Sequence, residues 1–140
     1  MAWTHLLDTN VLSRLLREPD GLTARRLTEV GDDRVCTSIV VASELRFGAA
    51  RRGSERLTLA VEQILGALDV LPLDVPVDDH YANIRAHLER VGKPIGPNDL
   101  FIAAHTRALD LVLVTENATE FARVPELVVE NWNDAHPALR

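Results

Sequence analysis

Cysteine is nearly missing from this chain of 140 residues, with Cys36 standing alone. A single thiol excludes an internal disulfide and a cysteine-rich zinc site, and makes a reducing, cytoplasmic setting the expectation. Lysine is equally scarce: Lys93 is the only one, so arginine carries the positive charge. No apolar run reaches the length of a membrane span, because Asp8 interrupts the N-terminal candidate at Leu6-Leu7. No basic segment precedes that run, which argues against a secretory signal. Repeats, low-complexity segments and linkers are also missing. The expectation is a single domain over residues 1–132, followed by a short tail at 133–140.

What is present suits an ordinary globular domain, with 46% hydrophobic and 26% charged residues. The net charge of −6 argues against a simple cationic coat for nucleic acid, but the charge is unevenly spread. Residues 1–60 hold nine arginines against eight acids, whereas residues 61–140 hold six basic residues against thirteen acids. Arg46, Arg51, Arg52 and Arg56 form a local basic cluster, readable as a solvated helix face or as a phosphate-contacting patch. An acidic protein that handles nucleic acid needs divalent cations to neutralise its own carboxylates.

The apolar pattern alternates short strands with helices. Residues 3–7 read as a buried strand, followed by Asp8 and a helix carrying Val11, Leu12, Leu15 and Leu16, capped by Thr9 or Asn10. A more polar helix is expected over about 22–30 and a strand over 34–37. Ser38 then caps a helix with Glu44 in its second turn. Leu57, Ala60, Val61, Ile64, Leu65 and Leu68 mark an amphipathic helix after Ser54. A strand at 70–73 and a helix from Val77 to Val91 come next. Gly92, Pro94, Gly96 and Pro97 then punctuate a shaped loop, after which Asp99 falls in the first turn of an apolar helix. Residues 111–114 form a continuous apolar strand, Glu120 and Phe121 a short helical turn, and residues 127–129 a last strand. Alternation of this kind predicts an α/β three-layer sandwich around a mostly parallel sheet.

Acids recur at the ends of these elements: Asp8 after the first strand, Glu44 early in a helix, Asp99 at a helix start, Glu116 and Asn117 after the apolar strand. Strand ends and helix starts share one rim of a parallel sheet, so these groups can converge. Clustered carboxylates repel, and all-oxygen ligands without cysteine or histidine favour Mg²⁺ or Mn²⁺. Phosphodiester hydrolysis is the chemistry such a site suggests. His5, His80, His87, His105 and His136 show no ligand spacing, and Ser38 and Ser43 have no evident His–Asp partners. The loop before Asp99 lacks the Lys-Ser/Thr ending of a nucleotide-binding P-loop.

Four segments carry a more specific signal: Leu6-Leu7-Asp8-Thr9-Asn10, the run from Thr37 to Gly48 around Glu44, Ile95-Gly96-Pro97-Asn98-Asp99-Leu100 with its apolar continuation to Ala104, and Leu113-Val114-Thr115-Glu116-Asn117 leading to Glu120-Phe121. Together with Arg123-Val124-Pro125-Glu126-Leu127 and Glu130-Asn131-Trp132, they resemble the PIN-domain ribonucleases. More narrowly, they are similar to the VapC-type toxins of toxin–antitoxin modules. The resemblance implies a PIN-like fold and a magnesium-dependent endoribonuclease acting on structured RNA such as transfer RNA. It also implies inhibition by a small VapB-type antitoxin and a homodimeric habit. Under it, Asp8 and Asp99 would bind metal, and Glu44 would bind metal or orient the attacking water. Thr9, Asn10 and Thr115 would support them. Many members carry a fourth acid where this chain has Asn117, which leaves Glu116 and Glu120 as substitutes and puts a second metal site in question. Arg46, Arg51 and Arg52 would contact the RNA backbone.

Two other functions compete. A degenerate domain of this fold could serve only as a binding module, a reading that Asn117 favours. A haloacid-dehalogenase-type phosphatase would also use an acid after its first strand, but it needs a second Asp where Asn10 stands and a Lys in mid-chain.

Overall fold

A computed structural model describes residues 3–134. The expected tail therefore lies outside the described residues from position 135 on, and so does His136. Five strands form one wholly parallel sheet: β1 (His5–Leu7), β2 (Val35–Ser38), β3 (Asp69–Leu71), β4 (Val112–Val114) and β5 (Val128–Glu130), in the order β3-β2-β1-β4-β5. Every strand lies within a residue or two of its predicted place.

The helices are α1 (Thr9–Arg17), α2 (Leu22–Val30), α3 (Ile39–Arg52), α4 (Glu55–Gly66), α5 (Val77–Arg90), α6 (Pro97–Ala108) and the short α7 (Ala118–Phe121). Right-handed crossovers through this strand order put α1 to α4 on one face and the helices after β3 on the other. The expected three-layer α/β sandwich results.

β1 lies at the centre, its register fixing Leu7 beside Thr37 on one side and Val114 on the other. Leu6, Leu7, Val35, Leu113 and Val114 are completely buried, as strands covered on both faces must be. The chain begins at β1, moves outward to β2 and β3, then crosses back to β4. The strand order thus reverses between β1 and β4, the place where open parallel sheets bind ligands, beyond the carboxyl ends of the strands.

The predicted stripe of α4 packs as core, with Val61 and Leu65 buried and Leu57 and Ile64 half-buried. Gly53 lets the chain turn sharply from α3 into α4: it adopts φ 64° at the end of α3 and its N–H satisfies the carbonyls of Ala49 and Ala50. Trp132 is buried and donates to Glu130 at 2.9 Å, so it anchors packing.

Candidate active site

The residue that follows β1 is Asp8, only 4% exposed. Its extended backbone turns the side chain back to accept the Thr9 N–H at 2.7 Å, so Asp8 itself caps α1. Thr9 and Asn10, expected to cap, are occupied elsewhere. The Thr9 hydroxyl donates to Glu44 Oε1, and Asn10 Oδ1 accepts the N–H of Glu116 at 3.2 Å. The second Asp8 oxygen accepts the Thr115 hydroxyl at 2.7 Å, which ties the end of β1 to the end of β4. Burial pushes the Asp8 pKa up. The Thr115 and Thr9 hydrogen bonds pull the other way, and the charges of Glu44 and Glu120 add to the rise.

Glu44 stands in the second turn of α3, and donors hold both its oxygens: Thr9 on Oε1, and Asn98 Nδ2 on Oε2 at 3.2 Å. Asp99 occupies the first turn of α6, behind Pro97, whose missing N–H costs nothing there. No side chain caps that helix, so Asp99 is not a helix cap. Its carboxyl meets Glu120. Burial, the shared hydrogen bond with Glu120, and the charges of Asp8, Glu120 and Glu44 together push Asp99 up to about 7. Carboxylates brought this close repel, so each neighbour favours the protonated form of Asp99.

Of the two substitutes for a fourth acid, Glu120 faces the others. Glu116 does not serve: Arg14 grips both its oxygens, Nη2 to Oε1 at 2.9 Å, while another Arg14 nitrogen reaches Glu18 at 2.7 Å. Asn117 contributes its N–H to the Thr115 hydroxyl at 3.0 Å, and its exposed side chain makes no hydrogen bond among the described residues. Asp8, Glu44, Asp99 and Glu120 thus interact as one group at the reversal point of the sheet.

Among the described residues, no three Asp, Glu, His or Cys side chains are already drawn together as an ion would draw them. Hydroxyl, amide and backbone donors to Asp8 and Glu44 offset part of the repulsion instead. The donor set nevertheless suits a hard divalent cation. Every ligand atom is oxygen, and carboxyls with raised pKa values are those a cation stabilises most on displacing their protons.

Other candidates divide clearly. Arg46 is held bidentately by Glu62, at 2.8 and 2.9 Å, so its fork is already used. Arg51 stacks near Phe47, 5.9 Å from the ring centre. Arg51 and Arg52 line a cleft of about 320 Å³ that also contains Thr9 and Glu44. Ser38 does pair with a histidine, His105, at 2.8 Å, but its hydroxyl is completely buried and also caps α3. Burial pushes His105 towards its neutral form, and the pair is structural rather than nucleophilic. Sequence reasoning missed Asn98 and Arg14 as organisers of the site. Arg14 meets a partner 102 positions away, and no local signal announces that.

Three comparisons bear on this arrangement. The family pattern described as the PIN domain matches residues 5–127. Ribonuclease VapC2 of Haemophilus influenzae is 37% identical over 130 residues, covering 91% of this chain and 97% of the relative. The tRNA(fMet)-specific endonuclease VapC of Shigella flexneri is 36% identical over 129 residues, covering 91% of this chain and 97% of its own. The crystal structure of DNA-bound VapBC from Salmonella typhimurium superposes with a TM-score of 0.86 at 34% identity, over 93% of this chain and 98% of that one.

Proposed function

This chain belongs to the PIN-domain family, and from that premise we propose that it is the toxin of a toxin–antitoxin module, an endoribonuclease restrained by a cognate VapB-type antitoxin. The observation that carries the reading is the meeting of Asp8, Glu44, Asp99 and Glu120 at the reversal point of the sheet, with Asp99 pushed up to about 7. A structural cluster of acids would be expected to disperse or to pair with arginine, as Glu116 does. These four stay together at the cost of their own repulsion.

Asp8 and Asp99 are assigned to hold Mg²⁺, with Mn²⁺ as a substitute, and Glu44 either joins them or orients the attacking water. Such an ion polarises the phosphoryl oxygen, lowers the pKa of water and stabilises the leaving oxygen. Glu120 supplies the charge that Asn117 lacks, which removes the main ground for a binding-only module. Thr9 and Asn98 hold the Glu44 carboxylate in place, Thr115 holds Asp8, and Asn10 holds the backbone that leads to Glu120. Structured RNA such as transfer RNA is the substrate class, cut in a loop whose bases are unpaired. We place the protein in the cytoplasm, as a homodimer, with residues 1–132 as one PIN domain. No described helix is long and apolar enough to cross a membrane.

The test is incubation of purified, antitoxin-free protein with total cellular RNA in Mg²⁺ or EDTA, for wild type and Asp8→Asn, followed by mapping of the ends. Discrete ends that need both the metal and Asp8 are expected. Folded protein that leaves every RNA intact would return the chain to the binding-only reading.

A further inference from the structure

Phosphate contacts were expected at Arg46, Arg51 and Arg52, but the structure distributes its unpaired arginines differently. The cleft that begins at Thr9 and Glu44 runs between α1, α3 and α4. It continues into a second depression of about 500 Å³, with which it shares Leu16, Arg17, Arg52 and Leu57. Arg17, Arg51, Arg52 and Arg56 line these two depressions, and Glu44 at the catalytic end is the only acid among the lining residues. The surrounding molecule carries a net charge of −6.

These guanidiniums are also unspent. Among the described residues, Arg17, Arg52 and Arg56 make no ion pair, whereas Arg14, Arg26, Arg46 and Arg85 each grip a glutamate. Arg51 lies near the exposed Phe47 ring, a partner that steadies the guanidinium without consuming its donors. Four free forks line one channel that starts at the acids and holds no other acid than Glu44, an arrangement that suits a run of phosphates.

Resting on the nuclease reading, we infer that this arginine-lined groove carries the single-stranded RNA backbone away from the acids. Arg17, Arg52 and Arg56 hold successive phosphates, Arg51 with Phe47 flanks the scissile end, and Arg46 takes no part. The four contacts release counterions, so the logarithm of affinity should fall against the logarithm of salt with a slope of about −2.8. From 50 to 200 mM salt that corresponds to about a 50-fold loss.

The test is binding of a fluorescein-labelled single-stranded RNA to the full chain in EDTA, across that salt range. Arg17→Ala, Arg52→Ala and Arg56→Ala should each flatten the slope by about 0.7, with Arg52→Lys restoring it. Arg46→Ala should leave it unchanged, as should Arg25→Ala, which removes an equal charge from α2 outside the groove. Slopes that change equally in all five alanine variants, or in none, overturn the proposal. So does loss of antitoxin capture with RNA binding intact, which would make the groove a protein-docking surface. Cleavage of total RNA by the same variants separates the two readings. Wild-type cutting with unaltered binding slopes sinks the groove and spares the nuclease, whereas no cutting at all sinks the nuclease.

Discussion

Asp99 shows how a residue can be read correctly by position and still differ in its chemistry. A carboxylate in the first turn of a helix is ordinarily favoured in its charged form by the helix dipole. Here burial, Glu120, Asp8 and Glu44 outweigh that and raise it from 3.8 to about 7. The linkage is the reverse of the common carboxylate case. Between about pH 4 and 7 the folded chain holds a proton that the unfolded chain has released, so metal-free stability is lost as pH rises through that window. Burial lowers the pKa of both His5 and His105, which contribute slopes of opposite sign, so the informative quantity is a difference. Asp99→Asn should abolish cleavage and be more stable than wild type in EDTA. The advantage should grow from pH 4 to 7 and level off on the order of 1–2 kcal/mol, after solvent screening is allowed for. Saturating Mg²⁺ should reverse it. Thermal melts across pH check this, and an Asn variant that melts lower at pH 8 in EDTA would make Asp99 a structural residue.

At the scale of elements, the site depends on how helix starts are secured. α3 begins with Ser38, whose hydroxyl accepts the Val40 N–H at 3.1 Å and meets His105 Nδ1 at 2.8 Å. One buried hydroxyl therefore fixes the helix that presents Glu44 and braces it against α6, which presents Asp99. Ser38→Ala should cost about 2 kcal/mol in denaturant unfolding, the sum of a lost cap and a buried imidazole nitrogen left without a partner. Cleavage should fall with it, because Glu44 and Asp99 lose their common brace. A variant with wild-type stability would show that solvent or another donor replaces the hydroxyl. Boundaries differed from the periodic reading by only a residue or two, because caps and breakers such as Ser38, Ser54, Gly53 and Pro97 stand where the apolar pattern changes. The exception is α1. Asp8, Thr9 and Asn10 at its start all bear capping side chains, and only the folded site determines which one caps and which reach Glu44 and Glu116.

Across the whole molecule, charge is segregated. Asp8, Glu44, Asp99 and Glu120 gather on one rim, and a run of free arginines leads away from it in a chain that is acidic overall. An inhibitor of such a nuclease must neutralise the rim or block the approach to it. The antitoxin is therefore expected to cover the acids or the surfaces of residues 38–68. Hydrogen exchange on the co-purified complex should show protection gained at α3 and α4 or at the start of α6. Protection confined to α2 or β5 would place inhibition elsewhere, by allostery rather than occlusion.

The sequence alone determined the α/β class and the order of elements, and its resemblance to a family singled out Asp8, Glu44 and Asp99 as the proposed principal acids. Strand patterning is local, and motif residues keep their spacing. Tertiary structure decided which neighbours those acids have. It set Glu120 rather than Glu116 against Asp99, because a bidentate Arg14 on α1 neutralises Glu116 from 102 positions away. It removed Arg46 by pairing it with Glu62 on the adjacent helix and left Arg17 free beside Arg52. Each of these outcomes depends on charges meeting across elements. That is a property of distance in space, which spacing along the chain does not encode.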